Sequence, residues 1–211
     1  MTRYFISGIG TDVGKTFVSA ILTEALKADY WKPIQCGTED GSDREKVSKL
    51  VSNKESKFFD EVYKFSEPLS PHFAAEKTNK TISMDNIVPP AGNNPLVIEG
   101  AGGLLVPLNK ENYVVDIASK VDAEIILVCR NYLGCINHSL LSIDYLLRNQ
   151  LKLKGIVLNG YFEPAVKSAI VNFANVQVIA EIPEVVEISK RSVLQQSQKI
   201  NLSLFPQPET T

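Results

Sequence analysis

A glycine-rich loop that ends in Lys-Thr, set between an apolar strand and a helix, leaves a chain few folds to choose from. Residues 4–7 read as a buried strand. Gly8-Ile9-Gly10-Thr11-Asp12-Val13-Gly14-Lys15-Thr16 follows, and Val18, Ile21, Leu22, Ala25 and Leu26 then form one apolar stripe along 16–28. Strand, glycine loop and helix in that order are the context of a phosphate-binding loop. Glycines let successive backbone N–H groups turn inward around phosphate oxygens, and the helix N-terminus adds partial positive charge. Lys15 can reach the outer phosphates, and the Thr16 hydroxyl can ligate Mg²⁺. Gly8 and Gly14 are separated by five residues rather than the usual four, because position 9 is Ile.

Further apolar runs at 96–99, 124–129, 155–159 and 176–182 are continuous rather than alternating, as in strands covered on both faces. Helical patterns at 137–147 and 164–173 separate them. The expected fold is α/β and three-layered: a mostly parallel central sheet with helices on both faces, like a P-loop NTPase. Residues 1–211 are expected to form one domain, with a frayed tail from about 205. The stretch 42–95, polar and punctuated by proline, reads as one or two helices and a long connection on the rim. Tyr30-Trp31-Lys32-Pro33-Ile34 reads as a short second strand.

Composition narrows the function. With 22 Lys and Arg against 24 Asp and Glu, the formal charge is -2, which does not suit a nucleic-acid binder relying on a broad basic surface. No apolar run approaches a membrane span. Three cysteines without a CxxC spacing point to a reduced, cytoplasmic setting.

A phosphate loop needs an acidic partner for its metal. Glu99 is placed by its sequence where an apolar strand ends and Gly100-Ala101-Gly102-Gly103 begins, the strand end at which ligands collect in open α/β sheets. It is either a metal ligand or a strand-end acid capping the glycine turn; the glycines offer N–H groups near the phosphates. Asp43 is either a second metal ligand or a cap or first-turn acid of the next helix. Asp12 could face the metal or shape the loop. Lys32 is a second cation for phosphoryl transfer or a solvated surface lysine. The segment Leu133-Gly134-Cys135-Ile136-Asn137-His138 leads into a helix whose N–H groups could hold a carboxylate, or is a helix start with Asn137 as N-cap. Asn159 could read a purine edge or make the turn before Gly160.

Together these blocks resemble dethiobiotin synthetases of biotin biosynthesis, over residues 4 to about 204. The loop is similar to that family's Gly-Thr-Asp-Thr-x-Val-Gly-Lys-Thr. Tyr30-Trp31-Lys32-Pro33, Ser70-Pro71-His72, Glu99-Gly100-Ala101-Gly102-Gly103, Leu133-Gly134-Cys135-Ile136-Asn137-His138, Glu181-Ile182-Pro183 and Ile200-Asn201-Leu202 resemble family segments. The resemblance implies ATP- and Mg²⁺-dependent carboxylation of 7,8-diaminononanoate with CO₂. The carbamate would be phosphorylated and the ring closed by the second amine, giving dethiobiotin, ADP and phosphate. It implies catalytic roles for Lys15, Lys32 and Thr11, and ATP contacts from Asp12, Val13, Gly14, Lys15, Thr16, Phe17, Glu99 and Asn159. Thr16, Asp43 and Glu99 would hold the metal; Thr11, Lys32, Cys36, Gly102 and Asn137 would bind substrate. A homodimer is implied, with Asn137 reaching the site across the interface, and no nucleic-acid or membrane partner.

The sequence departs from that pattern. Ile9 and Gly10 stand where the family has Thr and Asp, Asp12 where Glu is common, and Cys36 where Ser is frequent; a thiol is the weaker donor. The segment 81–95 is short for the helix expected there. Three other readings compete: another P-loop synthetase, which would usually carry a glutaminase domain for which 211 residues leave no room; a partition-type ATPase switch, which would place a signature lysine at position 10, here Gly10; and a nucleotide-binding regulator without chemistry, against which Lys15, Thr16, Lys32, Asp43 and Glu99 together argue.

Overall fold

The computed structural model describes residues 1–206. In chain order the strands are β1 (Arg3–Gly8), β2 (Asp29–Trp31), β3 (Ile34–Cys36), β4 (Phe58–Phe59), β5 (Tyr63–Phe65), β6 (Leu96–Gly103), β7 (Glu124–Arg130), β8 (Leu153–Asn159) and β9 (Val178–Ile182). The helices are α1 (Lys15–Leu26), α2 (Asp43–Leu50), α3 (Pro71–Lys77), α4 (Asp116–Lys120), α5 (Cys135–Arg148), α6 (Pro164–Ala174) and α7 (Lys190–Ser197). Seven strands form one sheet in the order β4-β2-β6-β1-β7-β8-β9, and its pairings are parallel. The chain order reverses around β1, so the loop after β1 opens at the crevice where α/β sheets collect ligands.

Both faces of the sheet are covered, which is why its strands read as continuous apolar runs. Tyr4 and Ile6 of β1, with Ile126 and Val128 of β7, pack against Ile21 and Leu22 of α1 and Val193 of α7. On the other face Phe5 and Ile125 meet Ile117 of α4 and Leu146 of α5, and Leu127 and Cys129 meet Ile143 of α5 and Ile170 of α6. The three-layer α/β expectation is met.

Several local expectations are not met, each for a physical reason. The segment 30–34 is not one strand. Pro33 has no N–H to give a ladder; its carbonyl instead accepts from the N–H groups of Val62 and Tyr63 at 2.9 Å each. The chain bends there, and β3 leaves the main sheet to pair in parallel with β5 in a separate two-stranded sheet. The rim segment 42–95 does hold two helices, α2 and α3, but also β4 and β5. Within 81–95 the regular structure is one 3₁₀ turn, Met84–Asn86, anchored on either side by the fully buried Ile82 and Ile87. Helix α7, not anticipated, starts with a capping box between Ser189 and Ser192 and buries Val193. Phe205, where fraying is expected to begin, is buried with its ring edge-on to Tyr4 at 5.1 Å; the rest of that expected tail, 207–211, lies outside the described residues.

Candidate active site

The phosphate loop is shaped by close contacts. Gly14 has φ +91°, a conformation that glycine adopts without strain, and a Cβ there would fall 2.1 Å from Asn159 Nδ2. Asn159, at the end of β8, is buried and its Nδ2 donates to the Val13 carbonyl at 2.8 Å. Its carboxamide therefore braces the loop rather than forming a turn. Helix α1 begins at Lys15 with no capping side chain and no acid in its first turn, so its N-terminal amides and dipole suit an anion. Lys15 Nζ donates to the Gly10 carbonyl at 3.1 Å. Burial pulls the Lys15 ammonium below its ordinary pKa, with Glu99 opposing the shift. Thr11 and Asp12 lie exposed on the outer curve, Asp12 with a left-handed φ of 57°.

Behind the loop lies a buried charge cluster. Glu99, 1% exposed, does not end its strand: β6 runs on to Gly103, and Gly103 pairs with Gly8. The register with β1 slips between Ile6 and Gly8, so Gly100, Ala101 and Gly102 bulge between the pairings of Glu99 and Gly103, Gly102 with a φ of +77°. Glu99 Oε1 accepts from Thr16 Oγ1 and from Lys32 Nζ, both at 2.9 Å. Its Oε2 accepts from the Tyr30 hydroxyl at 2.9 Å. Lys32 Nζ also donates to Asp43, so one buried ammonium bridges two carboxylates and is no solvated surface lysine. Burial disfavours the Lys32 charge, but Glu99 and Asp43 outweigh it and hold its pKa above the ordinary value. Burial likewise works to raise the Asp43 carboxyl, and Lys32 more than reverses it. The N-cap of α2 is Ser42, in a capping box with Glu45; Asp43, the first helical residue, is left to turn its carboxylate toward Lys32.

A cavity of about 880 Å³ joins these groups. Thr11, Asp12, Gly14, Lys15 and Thr16 line it from the loop side, and Lys32, Cys36, Asp43, Glu99 and Gly102 from the sheet side. Four expected site residues do not line it: Val13 and Phe17 are buried in the apolar core, Asn159 is behind the loop, and Asn137 is exposed. Helix α5 starts at Cys135 with Gly134 as its N-cap, so Asn137 sits within the first turn and is not the cap. The Cys36 thiol is pushed up to about 11 by burial, partly offset by Lys32. A larger cleft, about 1060 Å³, lies between α3 and the turn at 108–112. The charged side chains along it, Glu76, Lys80 and Glu111 among them, are solvated, and none of the expected residues reaches it.

Sequence reasoning overlooked Tyr30, Gln35, Lys46 and Arg130. Gln35 Oε1 accepts from the Asp43 N–H at 3.0 Å while its Nε2 donates to the carbonyls of Cys36 and Gly37 at 3.2 and 2.9 Å. It ties the β3 end to the start of α2. Lys46, one turn after Asp43 and 3.8 Å from it, and Arg130, at the carboxyl end of β7, also line the cavity. Tyr30 and Arg130 carried a signal: Tyr30 shares the Lys32 face of a strand by period 2, and Arg130 closes an apolar run at the carboxyl edge of the sheet.

The chain matches the family model described as AAA domain over residues 2–192. It is 51% identical to an ATP-dependent dethiobiotin synthetase of Christiangramia forsetii, the alignment covering 86% of this chain and 87% of that one. It is 41% identical to the ATP-dependent dethiobiotin synthetase of Cytophaga hutchinsonii, covering 95% of this chain and 97% of the relative. Among solved structures, the MinC:MinD cell division protein complex of Aquifex aeolicus superposes with a TM-score of 0.58 at 15% identity, covering 100% and 99% of the two chains. A putative plasmid partition protein of Borrelia burgdorferi bound to AMPPNP superposes with a TM-score of 0.57 at 11% identity, covering 96% and 97%. At such identities these two likenesses concern the fold alone.

Proposed function

The chain belongs to the family of ATP-dependent dethiobiotin synthetases, ligases of biotin biosynthesis, and from that premise we propose that it carboxylates 7,8-diaminononanoate with CO₂ and closes the product to dethiobiotin, using ATP and Mg²⁺. One amine adds CO₂ and loses a proton to give a carbamate. A carbamate oxygen attacks the γ-phosphorus, forming an O–P bond as the bond to ADP breaks. The second amine attacks the carbonyl carbon of this mixed anhydride; a C–N bond forms, phosphate departs and the amine proton is lost. Phosphorylation supplies the leaving group, so no protein nucleophile is needed. The Cys36 thiol, pushed up to about 11, stays protonated near neutrality and suits contact rather than attack.

The observation that carries this reading is the Lys32 bridge between Glu99 and Asp43 beside Thr16. Two carboxylates sharing one cation, with the Thr16 hydroxyl on the Glu99 carboxylate, are hard oxygen donors of the kind Mg²⁺ takes together with substrate phosphates. Among the described residues no three His, Cys, Asp or Glu group around a common point, so a metal here would depend on phosphate oxygens as well. Thr16, Asp43 and Glu99 would hold it, and when bound it supplies charge neutralisation for the transferring phosphoryl group. Lys15 and the first amides of α1, with Asp12, Val13, Gly14, Thr16 and Phe17 around them, would cradle the ATP phosphates. The spare acceptor of Asn159 is available to the adenine edge. Lys32 and Thr11 would meet the carbamate and the moving phosphoryl group, where positioning and preorganised charge lower the barrier. Cys36 and Gly102 would border the diamine.

Asn137 is exposed away from the cavity, next to Leu133, whose side chain is fully exposed, and Leu141, which is also exposed. These support a homodimer in which that segment completes the partner subunit's site. Gly10 in place of the lysine of partition-type ATPases speaks against a switch. Phosphate release from Mg·ATP, measured with and without bicarbonate and 7,8-diaminononanoate and with product mass determined, tests the proposal. Release that needs both additions and matches dethiobiotin formed is expected; release indifferent to the diamine would overturn it. Lys15→Gln is expected to lose phosphoryl transfer.

A further inference from the structure

Glu99 is served from one strand by two different donors. β2 pairs with β6 in parallel, Tyr30 opposite Val97 and Trp31 opposite Ile98, and successive side chains of a strand alternate in face. Trp31 accordingly packs in the core on one side of the sheet while Tyr30 packs on the other. Lys32, two residues beyond Tyr30, returns to the Tyr30 side. Tyr30 and Lys32 thus both reach back to Glu99, which sits just past Ile98 on β6. The division is clean: Lys32 and Thr16 take Oε1, and the Tyr30 hydroxyl takes Oε2.

Tyr30 has no freedom to do otherwise. It is fully buried, its backbone N–H donates to the Lys57 carbonyl at 2.8 Å, and its ring lies tilted against Phe58, 6.4 Å between centroids. Its hydroxyl is the donor to Glu99 Oε2 at 2.9 Å. With Oε2 held by the rigid Tyr30 hydroxyl, Oε1 is the oxygen that meets Thr16 and Lys32, both of which line the cavity.

We propose that Tyr30 is a positioning residue, whose hydroxyl fixes the Glu99 carboxylate so that Oε1 alone is presented to Thr16, Lys32 and the divalent ion of the nucleotide complex. This rests on Glu99 serving that ion. Groups that orient a metal ligand typically change metal affinity by about 10- to 100-fold when removed. Tyr30 would act through Glu99 without touching nucleotide or diamine.

The test measures Mn²⁺ binding to the ADP complex by the electron paramagnetic resonance of free Mn²⁺, with ADP affinity in EDTA and the melting temperature as companions. Wild type, Tyr30→Phe, Glu99→Gln and the double variant are compared; Tyr30→Phe keeps the ring and its packing. The expected result is Mn²⁺ affinity roughly 10-fold weaker in Tyr30→Phe, ADP affinity in EDTA unchanged, and no added loss when Tyr30→Phe is placed on Glu99→Gln. Wild-type Mn²⁺ affinity in Tyr30→Phe, with Glu99→Gln weakened, would overturn the positioning role and leave Glu99 as a ligand. Parallel loss of ADP affinity in EDTA would reduce Tyr30 to a structural residue. Unchanged affinity in Glu99→Gln would overturn the cation reading of Glu99 and this proposal with it.

Discussion

Replacing Lys32 with Met keeps most of the side-chain volume but removes the ammonium that bridges Glu99 and Asp43. Those carboxylates are 1% and 17% exposed at the side chain, so neither can recover full hydration. Removing one partner from a buried ion pair costs about 3–5 kcal/mol, because the remaining charge is left uncompensated. At about 2–4 °C per kcal/mol for a chain of this length, melting in EDTA should fall by roughly 6–20 °C. Circular dichroism melts in EDTA, then with excess Mg²⁺ and ADP, are the assay. The variant should regain part of the loss on adding Mg²⁺ and ADP, and gain more than wild type does, because a divalent ion can take over the role of the missing charge. Lys27→Met, which breaks the exposed pair with Glu55 at 2.7 Å, is the comparison and should leave melting unchanged, as exposed pairs contribute little. A fall in Lys32→Met as small as that of Lys27→Met would show that the cluster is effectively solvated. An equal Mg²⁺ and ADP response in variant and wild type would refute the idea that Lys32 and a divalent ion serve the same carboxylates.

Gly14→Ala should abolish nucleotide binding by calorimetry and destabilise the fold by more than about 1 kcal/mol, since the new Cβ meets Asn159 at 2.1 Å at a φ of +91°; near-normal affinity would deny the loop its observed shape. Asp43→Asn, studied in EDTA, should show its largest stability deficit at neutral pH. The Asp43 carboxyl titrates below its ordinary value, so its ionised form stabilises the fold, and that contribution is lost as pH falls below about 4. Urea melts across that range should therefore converge between wild type and variant on the acid side. Cys36, pushed up to about 11, should react with iodoacetamide at pH 8 about 100-fold more slowly than a free thiol and accelerate as pH rises toward 11; peptide mapping of the alkylated cysteine checks it, and rapid labelling at pH 8 would mean the thiol is not desolvated.

Patterns with a short repeat and a purely local cause were readable in the chain itself. The glycine loop, the continuous apolar runs of β1, β6, β7 and β8 and the amphipathic stripe of α1 follow from backbone sterics and burial, which act residue by residue, and they determined the parallel sheet and the position of the phosphate loop. Lys15, Lys32 and Glu99 were readable as candidates from their places in the loop, after a short apolar run and before a glycine run, and the structure gathers them around one cavity. Partners across the fold were not legible. Whether Asp43 capped α2 or turned inward was undecided until Ser42 was seen to take the cap and Lys32 to bridge the two acids. Pro33 marked a possible break, but that β3 would leave the sheet for β5 depended on Val62 and Tyr63, roughly thirty residues away, supplying the N–H groups its carbonyl needed. Asn159 and Val13 meet across 146 positions, and Tyr30 and Glu99 across 69. Such pairings exist only once the sheet has closed and excluded water, since only there does an unpaired donor or an uncompensated charge cost enough to dictate which side chain answers which.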